Sequence, residues 1–168
     1  MMIGLISDTH IPSAGKAPPS QVREAFRGVD LILHAGDLHV LSVLDWLEET
    51  APVLACRGNG DIWLPEDHRL KETQVITVDG LRIGLSHDLP LPEEPPWRTL
   101  KNIMARYFGS PVDVIVFGDT HVEGIETYKG VLLVNPGSPN LPHNIKKLGT
   151  VALLEVKDGK AEAHIVAL

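Results

Sequence analysis

Residues 2–10 read Met-Ile-Gly-Leu-Ile-Ser-Asp-Thr-His, a short apolar run that stops at an aspartate and, two residues later, a histidine. Runs of this length that are rich in Val, Ile and Leu are typical of buried strands. Four later apolar runs also end close to a side chain that could bind a metal ion. Because open α/β sheets bind ligands just outside the carboxyl ends of their strands, the pattern predicts one shared site. The run ends carry Asp8 and His10, Asp37, Asn59, His87, and Asp119 and His121.

The predicted ligand set contains three carboxylates, three imidazoles and one carboxamide. Such donors suit Mn, Fe, Co, Ni or Zn better than Ca. The set contains no thiolate, which argues against a structural zinc site. Asp8 and His10 lie two residues apart, so on an extended segment they would point the same way and could hold one ion together.

The composition describes a single globular domain over residues 1–168. With 43% hydrophobic residues, the chain has enough apolar material for a real core. The net charge of −7 disfavours non-specific binding to nucleic acid. The single cysteine, Cys56, excludes a disulfide framework and is expected to be a buried thiol. Neither a signal peptide nor a membrane-spanning run is recognisable, so we expect a cytoplasmic protein.

The order of the predicted elements indicates how the sheets are built. Helices are predicted at 19–26, 40–49 and 97–108, and hairpins at 73–85, 123–134 and 151–166. Parallel βα units come first and hairpins follow, which favours sheets packed face to face with helices outside. Residues 88–96 contain four prolines and form a candidate rim of the site, although an ordinary solvated loop is favoured.

The motifs also resemble a known family. They are similar, in order, to the motif series of calcineurin-like metallophosphoesterases, and Asn135-Pro136-Gly137-Ser138 resembles the compact single-domain phosphodiesterase branch, which includes the retromer scaffold subunit of eukaryotes. Five motifs in register make the resemblance specific. They are Asp8-Thr9-His10, Gly36-Asp37, Gly58-Asn59-Gly60-Asp61, Ser86-His87 and Gly118-Asp119-Thr120-His121.

The resemblance implies an α/β fold, a four-layer αββα sandwich of two mixed β-sheets flanked by helices. It also implies two divalent metal ions, one held by Asp8, His10 and His121, and the other by Asn59 and His87, with Asp37 bridging both. A bridging ligand must offer two anionic oxygens, and Asp37 does so. Asn59 can offer its carbonyl oxygen to a metal and its amide NH₂ to a phosphate oxygen. We expect Mn ahead of Ni, Co, Fe or Zn.

Two positions depart from the family pattern. Asp119 stands where the family usually has a histidine, so it either ligates the second metal as a carboxylate or is a vestige beside a weak site. Gly60 stands where many relatives carry a histidine that can protonate the leaving group. Of the other histidines, His34 is expected to be a hydrogen-bonded core residue. His39 follows the bridging aspartate by two residues, and a surface position is favoured over metal ligation.

These features together predict a metal-dependent phosphoesterase. Phosphodiesters are favoured over monoesters, with attack by a metal-bound hydroxide and no covalent intermediate. The substrate is expected to be a small phosphoester. Two alternatives remain open: a phosphomonoesterase or nucleotide phosphatase on the same centre, and a non-catalytic interaction scaffold with a vestigial metal site.

Overall fold

The strands of the protein form two mixed β-sheets, as the resemblance implied. The computed structural model describes residues 1–90 and 99–168. The larger sheet has the order β11-β10-β1-β2-β3-β4 and the smaller one β5-β6-β7-β9-β8. The strands are β1 Met2–Ile6, β2 Leu31–His34, β3 Val53–Cys56, β4 Leu70–Lys71, β5 Gln74–Val78, β6 Leu81–Leu85, β7 Val114–Val116, β8 Gly124–Tyr128, β9 Val131–Asn135, β10 Thr150–Lys157 and β11 Lys160–Ala167.

Three apolar clusters show that the chain is stacked in four layers. The central cluster lies between the sheets and includes Leu5, Val116 and Leu154. A second cluster joins the outer face of the larger sheet to helices α1 (Gln21–Ala25) and α2 (Ser42–Glu48). A third packs helix α3 (Leu100–Phe108) on the smaller sheet. The αββα sandwich expected from the sequence is therefore the observed fold.

Alternation along the strands explains how one sheet serves two interfaces. On β2, Ile32 faces the helices and Leu33 faces the other sheet. On β7, Val114 and Val116 face the larger sheet while Ile115 packs against the α3 layer. Because successive side chains of a strand point to opposite faces, both faces of each sheet must be apolar to be buried.

The three predicted hairpins are all present, and each turns on two residues with positive φ. The β5–β6 turn uses Asp79 and Gly80, and the β8–β9 turn uses Lys129 and Gly130. The β10–β11 turn uses Asp158 and Gly159 in the same way. Positive φ at both central positions is the type I′ conformation, which matches the twist of the flanking strands.

The helices lie close to their predicted positions. Leu44 and Leu47 of α2 are buried, as their spacing indicated. Helix α3 begins after its N-cap, Thr99, and ends at Gly109, whose φ is +72°; residue 97, where we predicted its start, lies outside the described residues. Cys56 is fully buried, as expected. Among the described residues, no helix combines the length and apolar character that crossing a membrane requires.

Parallel pairing brings the predicted site residues to one edge of the sandwich. Strands β1, β2 and β3 run parallel in the larger sheet, and β6 and β7 run parallel in the smaller one. Each predicted ligand follows the carboxyl end of one of these five strands. The loops from both sheets therefore meet at a common edge.

Candidate metal centre

Three strands end in the same left-handed turn, and these turns aim the predicted ligands. After β1, Asp8 and His10 have φ of +54° and +47°. After β7, Asp119 and His121 have φ of +69° and +58°, and Asp37 after β2 has +56°. Our expectation that Asp8 and His10 share an extended segment is wrong. Both residues nevertheless face one space, because the turn after β1 is held against the turn after β2. Two backbone hydrogen bonds join these turns, from Asp8 N to Gly36 O and from His10 N to Asp37 O, both 3.0 Å.

The first group of side chains is formed by Asp8, His10 and His121. Nε2 of His121 lies 3.4 Å from Oδ1 of Asp8 and 3.1 Å from Nε2 of His10. Asp8 is fully buried and His121 is nearly so. Two imidazole nitrogens that face each other beside a buried carboxylate form a donor set suited to one divalent cation.

Asp37 lies between this group and the next. Its Oδ2 is 3.3 Å from Nε2 of His10, and its Oδ1 is 3.6 Å from Nε2 of His87. The carboxylate thus directs one oxygen to each side, which is the arrangement that a bridging ligand requires. Gly36 precedes it at φ +90°, and a Cβ there would lie 2.6 Å from Nδ1 of His87. Glycine is needed here for both the conformation and the space.

The second group, on the other side of Asp37, consists of His87, Asn59 and Asp119. The Asn59 amide donates to Oδ1 of Asp119 at 3.1 Å, and the same oxygen lies 3.6 Å from Nε2 of His87. Asn59 is exposed, and the Asp119 side chain is 46% exposed. All seven predicted ligands are therefore brought together. Whether each of them binds an ion stays a prediction.

The polar atoms at the centre have the character of a cation site. Within the described part of the chain, both carboxylate oxygens of Asp8 and Nε2 of His87 are buried without a hydrogen-bond partner. Nδ1 of His87 donates to the carbonyl of Ala35 at 2.7 Å, and Nδ1 of His121 donates to that of Leu141 at 2.9 Å. A carbonyl can only accept, so each bond leaves the Nε2 lone pair directed into the centre. The residues present therefore fit divalent cations.

The pKa of His10 also depends on the carboxylates. Burial lowers this pKa, but the nearby carboxylates of Asp8 and Asp37 raise it by more, so the net pKa lies above the ordinary value. In the metal-free protein the His10 ring therefore binds a proton more readily than an ordinary imidazole does. A cation would have to displace that proton, so its binding is expected to weaken at low pH.

Several supporting residues were not identified from the sequence. Asp61 accepts from the backbone N–H of Leu38, His39 and Gly58, which ties the turn that carries Asp37 to the turn that carries Asn59. Its signal was its place at the end of the Gly-Asn-Gly-Asp motif. Ser138 donates to the Asp8 carbonyl at 2.7 Å, which gives the Asn-Pro-Gly-Ser segment a physical role at the site.

Two further histidines, His34 and His39, are a core residue and a neighbour of the site. His34 is fully buried, accepts from Gly36 N and lies 3.1 Å from the Thr9 hydroxyl, so our expectation is confirmed. Burial lowers its pKa to about 4, which keeps the ring neutral. His39, expected at the surface, is instead half-buried, with its ring centroid 4.4 Å from that of His10.

A cleft of 570 Å³ lies beside Asn59 and His87. Asp88 lines it and accepts a 2.8 Å hydrogen bond from the Tyr107 hydroxyl. Burial, together with the hydrogen bond to Asp88, raises the pKa of Tyr107 to about 12. The start of the predicted 88–96 loop thus contributes to the rim, while its residues 91–96 lie outside the described part.

Comparison with known proteins shows the family of the chain. The sequence model of the calcineurin-like phosphoesterase superfamily domain matches residues 1–159. The chain belongs to this family. It is therefore a metallophosphoesterase by descent, and the matched range contains the cluster of carboxylates and imidazoles.

Relatives from other organisms cover nearly the whole chain. A probable metallophosphoesterase of Methanothermobacter thermautotrophicus is 36% identical over 99% of this chain and 92% of its own. A phosphodiesterase of Methanocaldococcus jannaschii is 28% identical over 82% of this chain and 83% of its own. Among solved structures, Vps29 of Entamoeba histolytica in complex with zinc has a TM-score of 0.72 and 24% identity, and covers 99% of both chains. The last comparison supports the fold alone.

Proposed function

We propose that the protein is a phosphodiesterase that holds two divalent metal ions, with manganese as the favoured ion. The observation that carries this proposal is the buried Asp8 carboxylate, whose two oxygens have no hydrogen-bond partner within the described residues and which lies 3.4 Å from Nε2 of His121. An unpaired buried carboxylate is costly unless a cation neutralises it. Membership of a metal-dependent phosphoesterase family supports the same interpretation.

In this proposal the two ions divide the seven residues between them. Asp8, His10 and His121 would hold the first ion, and Asn59, His87 and Asp119 would hold the second. Asp37 would serve both. A pair of divalent ions would supply Lewis acidity to the phosphoryl group and acidify a water molecule.

The residues of the chain position the substrate and set the electrostatics. The amide NH₂ of Asn59 can turn from Asp119 to donate to a phosphoryl oxygen. The carbonyls of Ala35 and Leu141 keep His87 and His121 in the tautomer with a free Nε2. The cleft beside Asn59 gives room for an ester group on that side.

Charge favours diesters over monoesters. A phosphomonoester carries about 1.5 to 2 negative charges near neutral pH, whereas a diester carries one. The carboxylates of Asp88 and Asp119 lie at the cleft and beside the second group of ligands. They repel a dianion more strongly than a monoanion. The phosphodiesterase relative from Methanocaldococcus jannaschii supports this substrate preference.

The proposal is tested with metal-free protein that is reconstituted with Mn, Ni, Co or Zn. We expect about two ions per chain by elemental analysis, and faster hydrolysis of bis(4-nitrophenyl) phosphate than of 4-nitrophenyl phosphate. Mn should give the highest rate, because a carboxylate at position 119 favours a harder ion. One ion per chain would contradict the dinuclear centre, and a faster monoester reaction would contradict the substrate class.

A further inference from the structure

The protein contains a third Asp-x-His turn, and the predicted ligand set uses its aspartate, Asp37, but not its histidine. Asp37-Leu38-His39 follows β2 as Asp8-Thr9-His10 follows β1 and Asp119-Thr120-His121 follows β7. His39 has φ of +68°, so its backbone adopts the left-handed conformation, as the backbones of His10 and His121 do. The turn brings its ring to the same centre, where it meets His10 edge to face at an interplanar angle of 70°.

Gly60 leaves the space that the His39 ring fills. A Cβ at position 60 would clash with Nε2 and Cδ2 of His39. Any larger residue at position 60 would therefore displace the ring. The imidazole of His39 and a side chain at position 60 are alternatives for one volume, directly beside Asn59.

The position of His39 is fixed by hydrogen bonds rather than left to a loose loop. Its backbone N–H donates to Oδ1 of Asp61 at 2.8 Å, and Oδ2 of the same carboxylate accepts from Gly58 at 2.8 Å. The turns that carry His39 and Asn59 therefore share one anchor. Within the described residues, the ring nitrogens of His39 have no hydrogen-bond partner, and the residue is half-buried.

We infer that His39 is a further catalytic residue, whose Nε2–H donates a hydrogen bond to the ester oxygen that leaves in the proposed reaction. The inference rests on the proposed function. Asn59 would hold the phosphoryl group, and the His39 ring lies against the adjacent Gly60. A free donor at that place can reach an ester oxygen, which a ring bonded to protein could not do.

The hydrolysis needs no reactant besides the ester and water. A water molecule adds to phosphorus, the P–O ester bond breaks, and its electron pair stays on the ester oxygen. The hydrogen bond from His39 stabilises the charge that develops there, and the proton released by the attacking water ends on the alcohol through solvent. Because a poor leaving group develops more charge, the contribution of His39 increases as the alcohol becomes less acidic.

His39 also lies within 4.8 Å of ligand atoms of His10 and Asp37, which makes metal ligation the rival role. The two roles differ in one measurement. A ligand would lower the number or affinity of bound ions when it is removed. A donor to the leaving oxygen would leave metal content unchanged.

The test compares His39→Ala and His39→Gln with wild type on aryl methyl phosphates from 4-nitrophenyl to phenyl, with Mn loaded and metal content measured. We expect His39→Ala to slow the phenyl ester by on the order of 10²-fold and the 4-nitrophenyl ester far less. His39→Gln keeps an N–H donor and should recover part of the phenyl rate. His164→Ala, on exposed β11, is the matched control and should behave as wild type.

A second variant tests the same inference without touching His39. Gly60→Ala should displace the ring and reproduce the leaving-group dependence while metal content stays at the wild-type value. Equal losses across the ester series, or loss of bound metal in His39→Ala, would overturn the inference alone. A Mn-loaded wild type that cleaves no ester of the series would instead overturn the proposed function, and the inference with it.

Discussion

The two sides of the candidate centre differ in burial and in support. On the first side Asp8 is fully buried, the His121 side chain is 7% exposed, and Ser138 and Asn140 bond the Asp8 and Thr9 carbonyls. On the second side His87 is buried, but Asn59 is exposed and the Asp119 side chain is 46% exposed. The first side is thus the more buried and is held by more hydrogen bonds, and the second is half open to solvent.

The difference in burial should determine how tightly each ion is bound and how readily it exchanges with solvent. Charges interact more strongly in a desolvated site than near the surface. We therefore expect one tightly held ion on the first side and a weaker one on the second. Substitutions on each side test this order of affinities, and Asp37, which faces both sides, comes first.

Asp37→Asn should have the largest effect. It removes the charge that faces both His10 and His87, so binding of both ions should weaken together and hydrolysis should fall below detection. The fold should remain, because Asp37 follows a strand and is outside the apolar clusters. Elemental analysis, a diester assay and circular dichroism check the three parts. Activity at the wild-type level would refute the idea of a shared bridge.

Asp8→Asn should remove the first ion and stabilise the metal-free protein. The unpaired carboxylate costs the apo fold about 1–3 kcal/mol or more, and the variant lacks that charge. Thermal unfolding in chelator should show a Tm raised by about 2–4 °C per kcal/mol. With Mn added, wild type should become the more stable of the two. A lower Tm for the variant in chelator would mean that Asp8 is already satisfied by protein groups.

Asp119→Ala should weaken the second ion and leave the first unchanged. Asp119→His should keep two ions and shift the preference from Mn towards Zn, Ni or Co, because imidazole is the softer donor. Titration calorimetry on wild type and both variants measures stoichiometry and affinity. If Asp119→Ala binds Mn with wild-type stoichiometry and affinity, Asp119 is a vestige and does not bind the second ion.

Asp88→Gly should have the smallest effect on the ions. Its carboxylate is exposed and bonded to Tyr107, so the change in Mn affinity should stay well below the roughly 10–100-fold typical of groups that bond a ligand directly. Tyr107→Phe is the matched control, since it removes the same hydrogen bond and keeps the charge. A drop in affinity with Asp88→Gly alone would show that the charge acts on the second side.

Strand-end aspartates and histidines were recognisable from the sequence because apolar runs followed by polar residues can be read directly along the chain. The three hairpins were equally readable, since Asp-Gly and Lys-Gly sit between alternating strands. The place of His39 was not. Its signal, a third Asp-x-His repeat, was visible, but only the contact with Gly60 reveals that its ring turns inward.

The residues themselves predicted sheets packed face to face with helices outside, and the set of side chains at the sheet edge, because periodicity and turn chemistry are local properties. The four-layer order followed from the family resemblance. Tertiary structure alone decided which side of the centre is buried, since that depends on the carbonyls of Ala35 and Leu141 and on Ser138, which the chain brings from distant positions. It also decided the left-handed turns that aim Asp8 and His10 inward, because those conformations are held by hydrogen bonds between neighbouring strand ends.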